Sequence, residues 1–313
     1  MAGKQVLVTG GAGFIGSHLV RALAERTGSV RVLDNLSTGK RENLSTATGD
    51  LDIIIGDIRN PADCERACCG VEAVFHLAAY VSVPGSVADP AAADAINIGG
   101  TLNLLLAAKN AGVKRFVFSS SSAVYGDTDI LPTPETILPM PASPYGVEKL
   151  YGEHLCRLFH SLHGMQTVAL RYFNVYGPGQ NPESDYAAVI PKFITTLLQG
   201  CTPTIFGDGA QTRDFLYVGD VVHANLLAAK VEGATGETFN IARGTGTSLN
   251  DLTSAICAAT GVRVEPIHGP ERPGDIKHSS ADICKAKEKL RFEPEYDLER
   301  GLRQTVAFYR ATS

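Results

Sequence analysis

Tyr145 and Lys149 stand four residues apart in the stretch Pro144-Tyr145-Gly146-Val147-Glu148-Lys149. On a helix, residues i and i+4 share a face, with Cβ atoms roughly 6 Å apart. A lysine cation so placed favours the phenolate form. It is expected to bring the tyrosine down from its free pKa of about 10 toward neutrality. That pair suits taking the proton from an alcohol while a nicotinamide takes the hydride. Tyr and Lys at this spacing also arise by chance, so the pair takes its weight from its surroundings.

Those surroundings begin at the N-terminus. The apolar run Val6-Leu7-Val8-Thr9 leads into Gly10-Gly11-Ala12-Gly13-Phe14-Ile15-Gly16, glycines spaced G-x-x-G-x-x-G between a strand and a helix. Gly10 and Gly13 let the backbone approach a pyrophosphate, and Gly16 permits close packing of helix on strand. The helix N-terminus then offers free N–H groups to phosphate. Asp34 ends the second strand, where a carboxylate hydrogen-bonds ribose hydroxyls and repels a 2′-phosphate. This favours NAD over NADP, against the nearby charges of Lys40 and Arg41. Asp57-Ile58 after the third strand could hold the adenine, and Leu77-Ala78-Ala79 after the fourth places small residues beside the cofactor. Further on, Phe116-Val117-Phe118-Ser119-Ser120-Ser121-Ser122-Ala123-Val124-Tyr125-Gly126 reads as a buried strand ending in hydroxyls. Ligands bind at the carboxyl ends of strands in open α/β sheets, and a serine there can pass a proton to Tyr145.

The elements that position these residues follow a simple rhythm. Short β-branched runs (6–8, 30–33, 53–55, 73–76, 116–119, 167–170) alternate with helical patterns near 14–26, 61–69, 91–111 and 145–163. This order predicts an α/β fold with a Rossmann-like, doubly wound parallel sheet. After Tyr172 turn signals multiply, and helices are expected near 188–198, 218–230, 249–259 and 298–309. The expected division is a cofactor-binding domain over 1–172, with a return to the sheet near 214–242, and a smaller C-terminal lobe over 173–313.

The 313 residues exceed the common single-domain size of about 100–200 residues. With 44% hydrophobic and 19% charged residues, the chain is expected to pack. A net charge of −5 argues against a duplex nucleic-acid surface. No run of 18 uninterrupted apolar residues suggests a membrane span, and no signal peptide is read, so a cytoplasmic protein is expected. Seven cysteines, with Cys64, Cys68 and Cys69 clustered, lack an answering group at metal-ligand spacing and read as free thiols, with no metal.

The ordered set of the glycine loop, Leu77-Ala78-Ala79, Ser119 to Gly126, Tyr145 to Lys149, Arg171-Tyr172-Phe173-Asn174-Val175-Tyr176-Gly177-Pro178 and Arg213-Asp214-Phe215 resembles the extended short-chain dehydrogenase/reductase family. Within it the chain is similar to nucleotide-sugar 4-epimerases of the UDP-galactose/UDP-N-acetylglucosamine type, over essentially its whole length. The resemblance implies Tyr145 as base, Lys149 as the ribose-binding residue that tunes it, and Ser121 as catalytic serine, with Ser122 its confusable neighbour. It implies tightly bound NAD. Besides the residues above, Phe14, Ile15, Asn35, Ser37, Thr38, Gly39, Asn97, Ser119 and Tyr172 are implied as cofactor contacts. On the sugar side it implies Ser121, Ser122, Ala123 and Tyr145, with Asn174 and Arg213 on the diphosphate and Arg272 with Asp275 on diphosphate and uridine ribose. Ile205 and Phe206 would flank the uracil, and Val189 would also line the pocket. Guanidinium forks match phosphate oxygens, which is what a diphosphate needs.

The implied reaction is oxidation at C4, rotation of the 4-keto sugar about its diphosphate tether, and re-reduction on the other face. Dehydratases of this family carry a Thr-Asp-Glu triplet where this chain has Ser121-Ser122-Ala123, so 4,6-dehydration is disfavoured. A UDP-glucuronate decarboxylase or other nucleotide-sugar-modifying enzyme is the nearer alternative, and a catalytically silent NAD-binding sensor the alternative of another class. Ser279 falls where the family sets sugar size. A small residue there implies room for an N-acetyl group. The helices near 91–111 and 145–163 resemble the pair that forms a four-helix homodimer interface.

Overall fold

The computed structural model describes residues 5–183, 188–271 and 276–312. Arg272 and Asp275 lie outside the described residues. The first half of the chain runs β1 (Val6–Thr9), α1 (Phe14–Thr27), β2 (Ser29–Asp34), β3 (Asp50–Ile55), α2 (Pro61–Cys68), β4 (Ala73–His76), α3 (Val83–Ala88), α4 (Pro90–Asp94), α5 (Thr101–Asn110), β5 (Arg115–Ser121), α6 (Pro144–His163) and β6 (Gln166–Tyr172). The second half runs β7 (Asn174–Tyr176), α7 (Val189–Leu198), β8 (Thr204–Phe206), β9 (Thr212–Arg213), β10 (Phe215–Tyr217), α8 (Val218–Ala228), β11 (Glu237–Ile241), β12 (Thr247–Ser248), α9 (Leu249–Thr260), β13 (Ile267–Gly269) and α10 (Leu298–Thr312).

Seven strands form one sheet in the order β3-β2-β1-β4-β5-β6-β11, every pair parallel. The strand order reverses between β1 and β4, where a doubly wound sheet opens its ligand crevice. Alternate residues feed the two faces, as the two-residue strand period requires. Val6, Val8 and Val117 pack on one side with residues of α1 and α8. Leu7, Phe116 and Phe118 pack on the other with residues of α2, α5 and α6. Because both faces are covered, the strands read as continuous apolar runs rather than alternating ones. Phe116 and Phe118 are buried almost completely, which contributes roughly 1.5–3 kcal/mol each.

Helix α6 carries Tyr145 in its first turn, and its placement follows from local chemistry. Ser143 caps it by accepting from Gly146 N at 3.2 Å, Pro144 opens it, and Gly164 closes it at φ +68°. At Gly152 a Cβ would lie 2.3 Å from the Phe118 ring, so only glycine lets α6 rest this closely on β5. The stretch expected as one long helix near 91–111 is interrupted. A π-helical segment, Ala95–Gly100, separates α4 from α5 and turns Asn97 inward. Pro90–Asn110 is long and apolar enough to cross a membrane by length and composition, and nearly half of it is buried within the fold.

Beyond β6 the strands are short. β7 pairs with β10 and β8 with β13 in parallel, while β9 and β12 run antiparallel. A separate core of residues from α7, α9 and α10, with Tyr176, Phe215 and Tyr217, supports them.

Candidate active site

Strand β5 delivers three serines to its carboxyl end, and each has its own partner. Ser119 shares a hydrogen bond with the Tyr172 hydroxyl at 3.1 Å, and Asn225 Nδ2 donates to the same oxygen at 2.8 Å. Ser120 points through the opposite face and donates to Glu153. Ser121 accepts from Ala123 N at 3.1 Å, which begins the 3-10 turn Ser122–Tyr125, and its hydroxyl favours ionisation of the neighbouring Tyr145. Tyr145 is pinned from the far side as well, its backbone N donating to Ser86 Oγ at 3.1 Å.

The fold aims Lys149 at the end of β5. Its Nζ donates to the Ser119 carbonyl at 2.9 Å and lies 5.7 Å from the Tyr145 ring centroid. Burial pushes the Tyr145 hydroxyl up to about 12, opposed by its hydrogen bond with Ser121 and reinforced by the Glu148 charge. Burial likewise brings Lys149 down to about 8, against the carboxylates of Glu148 and Glu153. In both groups burial is the leading cause, since it disfavours the charged form of each.

Asn97 sits near this centre but faces Glu148, donating to its Oε2 at 2.6 Å and to Tyr80 O at 3.0 Å while accepting from Tyr80 N at 2.8 Å. It braces the loop after β4 against α6. Tyr80, Ser86, Glu148 and Glu153 were not anticipated from sequence. Glu153 alone carried a signal, since it continues the Tyr145–Lys149 spacing by another four residues.

The cofactor side has the expected cradle. Gly13 stands at the N-cap of α1 with no side-chain cap, which leaves the helix N–H groups for a ligand. A Cβ on Gly16 would sit 2.1 Å from Gly10 O, so only glycine lets α1 start this close to the turn. Gly10 in turn lies against Ala78 and the backbone of Leu77, and Gly39 against Ala12. Asp34 accepts from Ala12 N at 2.9 Å and from Leu36 N at 2.8 Å, which fixes its carboxylate at the end of β2. Asn35, Ser37 and Thr38 follow it on the exposed turn. Asp57 accepts from Asn35 Nδ2 at 2.8 Å and pairs with Arg59, whose hydrogen bond holds the carboxyl far below its usual range. Ile58 is core rather than surface, and Phe14 and Ile15 pack against the second core. Tyr172 and Ser119 are buried and bonded to each other. The glycine turn, the uncapped helix and the fixed carboxylate suit a dinucleotide diphosphate and an unphosphorylated ribose.

On the sugar side, β7 and β10 set Asn174 opposite Phe215, two residues from Arg213. Arg213 Nη1 donates to Thr212 O at 2.9 Å, and Ser279 N donates to Thr212 O at 3.1 Å, so the Ser279 segment lies beside Arg213. Phe206 lies opposite Gly269 in the β8–β13 pair. Ile205, expected to flank a base, is wholly buried in the second core, because its side chain points to the other face of the short strand. Val189 opens α7 and is partly buried.

Residues 6–242 match the NAD dependent epimerase/dehydratase family. The chain is 42% identical, over 96% of its length and 97% of the relative's, to a putative UDP-glucose 4-epimerase of Methanocaldococcus jannaschii. Its fold matches a UDP-N-acetylglucosamine 4-epimerase from Methanobrevibacter ruminantium in complex with UDP-N-acetylmuramic acid at a TM-score of 0.96 and 44% identity, covering 100% of both chains. It matches the UDP-glucose 4-epimerase of Thermus thermophilus in complex with NAD at 0.88 and 36% identity, covering 99% of this chain and 100% of that one. With a glycine cradle at β1 and a serine, tyrosine and lysine converging at the end of β5, the chain belongs to the NAD dependent epimerase/dehydratase family.

Proposed function

We propose that the protein is a UDP-hexose 4-epimerase that interconverts UDP-Glc and UDP-Gal, and UDP-GlcNAc and UDP-GalNAc, through a transient 4-keto sugar. NAD, when bound, supplies the hydride acceptor and donor at C4 and a positive charge beside Tyr145. Residues 1–172 with 214–242 would hold that cofactor, and 173–313 the nucleotide sugar. Tyr145 takes the C4 hydroxyl proton, with Ser121 bridging, and returns it after the sugar has turned over. Lys149, anchored on the Ser119 carbonyl, keeps a cation within reach of the ribose.

One observation carries the reading. The turn beside Tyr145 presents Ser121, Ser122 and Ala123, and the nearest carboxylates on α6 are committed elsewhere, Glu148 to Asn97 and Glu153 to Arg171. Among the described residues Tyr145 therefore has no free acid partner to expel a C6 hydroxyl, which leaves re-reduction as the step open to an oxidised neutral hexose. The test is incubation of the pure protein with each UDP-sugar without added cofactor, following C4 stereochemistry by NMR. Inversion at C4 supports the reading. A pentose product would replace it with decarboxylation, and bound NAD with no turnover would point to a sensor.

Ser279 stands in the segment facing this site, partly buried beside Thr212. Ser279→Tyr is expected to lower kcat/KM for the N-acetylated sugars by about 10²-fold, the scale on which pocket shape discriminates, and to spare UDP-Glc. Equal losses for both sugars would remove Ser279 from the selecting role.

The same reading makes the protein a cytoplasmic homodimer. Val147, Tyr151, Leu158 and Leu162 form an exposed stripe along α6, and Leu106 is exposed on α5, an apolar surface suited to a second copy. Among the described residues all seven cysteines are free thiols, as suits a reducing compartment. Sedimentation equilibrium should give twice the chain mass, and Leu158→Glu with Leu162→Glu should give monomers. A wild-type monomer would sink this part of the reading.

A further inference from the structure

A polar chain runs from the catalytic helix to the sugar-facing segment through the interior of the protein. It starts at Glu153 on α6, which takes a two-pronged contact from Arg171 on β6, Nε to Oε1 at 2.8 Å and Nη2 to Oε2 at 2.6 Å. The second arm of Arg171, Nη1, donates to the Tyr125 hydroxyl at 2.7 Å. Tyr125 then donates to Asn240 Oδ1 on β11 at 2.6 Å. With its carbonyl occupied, the Asn240 amide has one orientation, and both its hydrogens are used. They go to Thr133 O at 2.9 Å and Asp282 O at 3.1 Å. Thr133 N donates to Ser280 O at 2.8 Å and Asp282 N to Thr133 O at 2.9 Å, so residues 133 and 281 pair like a short strand. Tyr125, Arg171, Glu153 and Asn240 are all buried.

The two ends of this chain are the two halves of the pocket. Tyr125 ends the 3-10 turn that starts beside Ser121. Asp282 and Ser280 flank the segment that carries Ser279. No main-sheet pairing joins these two pieces, since the sheet ends at β11. The second hold on the segment is Asp214, whose Oδ2 accepts from Ala281 N at 3.2 Å and Gly244 N at 3.0 Å, but Asp214 belongs to the Arg213 side. Among the described residues the Tyr125–Asn240 bond is the side-chain hydrogen-bond route from the segment to the serine turn, beside the apolar packing of Val124 and Tyr125 with Ala281 and Ile283.

We infer that Tyr125 and Asn240 are positioning residues for sugar selection: their hydrogen bond sets where the Ser279–Asp282 segment stands relative to Ser121. Both side chains are buried and bonded to each other rather than to Ser121 or Tyr145. The inference rests on the epimerase reading and adds the device that holds its size-selecting wall. Tyr125→Phe removes the hydroxyl and keeps the ring, which packs against Phe173 at 6.3 Å between centroids. Arg171 Nη1 and Asn240 Oδ1 then lose their shared partner, the Asn240 amide is free to turn, and the two carbonyl contacts loosen.

The experiment uses the purified full chain with its bound NAD. In Tyr125→Phe, KM for UDP-GlcNAc should rise about tenfold, equal to about 1.4 kcal/mol, with kcat within about twofold of wild type. Calorimetric affinity for UDP-GlcNAc should fall to match, while affinity for UDP alone and NAD content stay unchanged. Asn240→Ala should reproduce the effect, and the double variant should be no worse than the more affected single, since both break one link. A lowered melting temperature with unchanged KM, kcat and affinities would make the link merely structural and overturn the inference. So would additive losses in the double variant, or a weakening of UDP equal to that of UDP-GlcNAc. If the wild-type protein epimerises neither sugar, the functional reading falls, yet the contrast between UDP-GlcNAc and UDP affinities still decides the positioning role.

Discussion

Tyr145→Phe is expected to lower kcat for C4 epimerisation by about 10²–10⁴-fold, the usual contribution of a positioned acid–base group. NAD content and sugar KM should hold, because the ring keeps its packing and only the hydroxyl is lost. The size of the effect follows from isolation. Tyr145 is the titratable group that meets Ser121, and the neighbouring carboxylates are bonded away from it. Burial pushes its hydroxyl up to about 12, so proton removal near neutral pH is expected to draw on the positive charge that bound NAD would add. Lys149 sets the alkaline limit. Brought down to about 8 by burial, it is cationic below that pH and neutral above, so activity should fall as pH rises past 8. Unfolding is not the cause of that fall. A lysine lowered from 10.5 to about 8 binds its proton in the unfolded chain but not in the folded one across that window. Its contribution to stability therefore rises with pH there. Activity that falls while the melting temperature holds or rises is the expected pattern. Turnover of Tyr145→Phe within about tenfold of wild type would take the base role from Tyr145.

The gap between the two views of this chain lies mostly in range. The sheet was legible because each strand carries its own apolar run and each helix its own period, and the glycine turn announces where the winding starts. The candidate trio was legible for the same reason, Tyr145 and Lys149 being four residues apart and Ser121 at a strand end. The direction of the Lys149 side chain was not, since it depends on a Ser119 carbonyl that only the fold brings near. The π segment at Ala95–Gly100 breaks no apolar pattern and leaves no mark in the sequence. The two- and three-residue strands of the second half are too short to show a period. Ile205 illustrates the consequence. In so short a strand nothing local says which side faces the ligand, and it turned out to be core. The link from Tyr125 to Asn240 spans 115 positions and involves no motif that pairs them.

The largest effect on stability should come from the anchor of that link. Arg171→Met leaves the Glu153 carboxylate buried, with its strongest partner gone and only the Ser120 hydroxyl remaining. Stranding one member of a buried ion pair costs about 3–5 kcal/mol, so the urea midpoint should drop sharply. Removing both charges need not cost as much, because the desolvation of Glu153 is relieved at the same time. Glu153→Leu with Arg171→Met should therefore be more stable than Arg171→Met alone. A double variant less stable than that single would mean that the pair itself, rather than the stranded charge, supplies the stability. The outcome bears on the site because Ser120, which donates to Glu153, is the covalent neighbour of Ser121. An apolar pair that restores the fold still leaves the Ser120 hydroxyl without its acceptor and the Tyr125 oxygen without its Arg171 donor, with Asn240 as its remaining partner, so the stable double variant should remain a poorer epimerase than wild type. Stability and activity then part company at this one position. That is the behaviour expected where an ion pair is retained for placement, since burial of two charges is weak evidence of stability by itself.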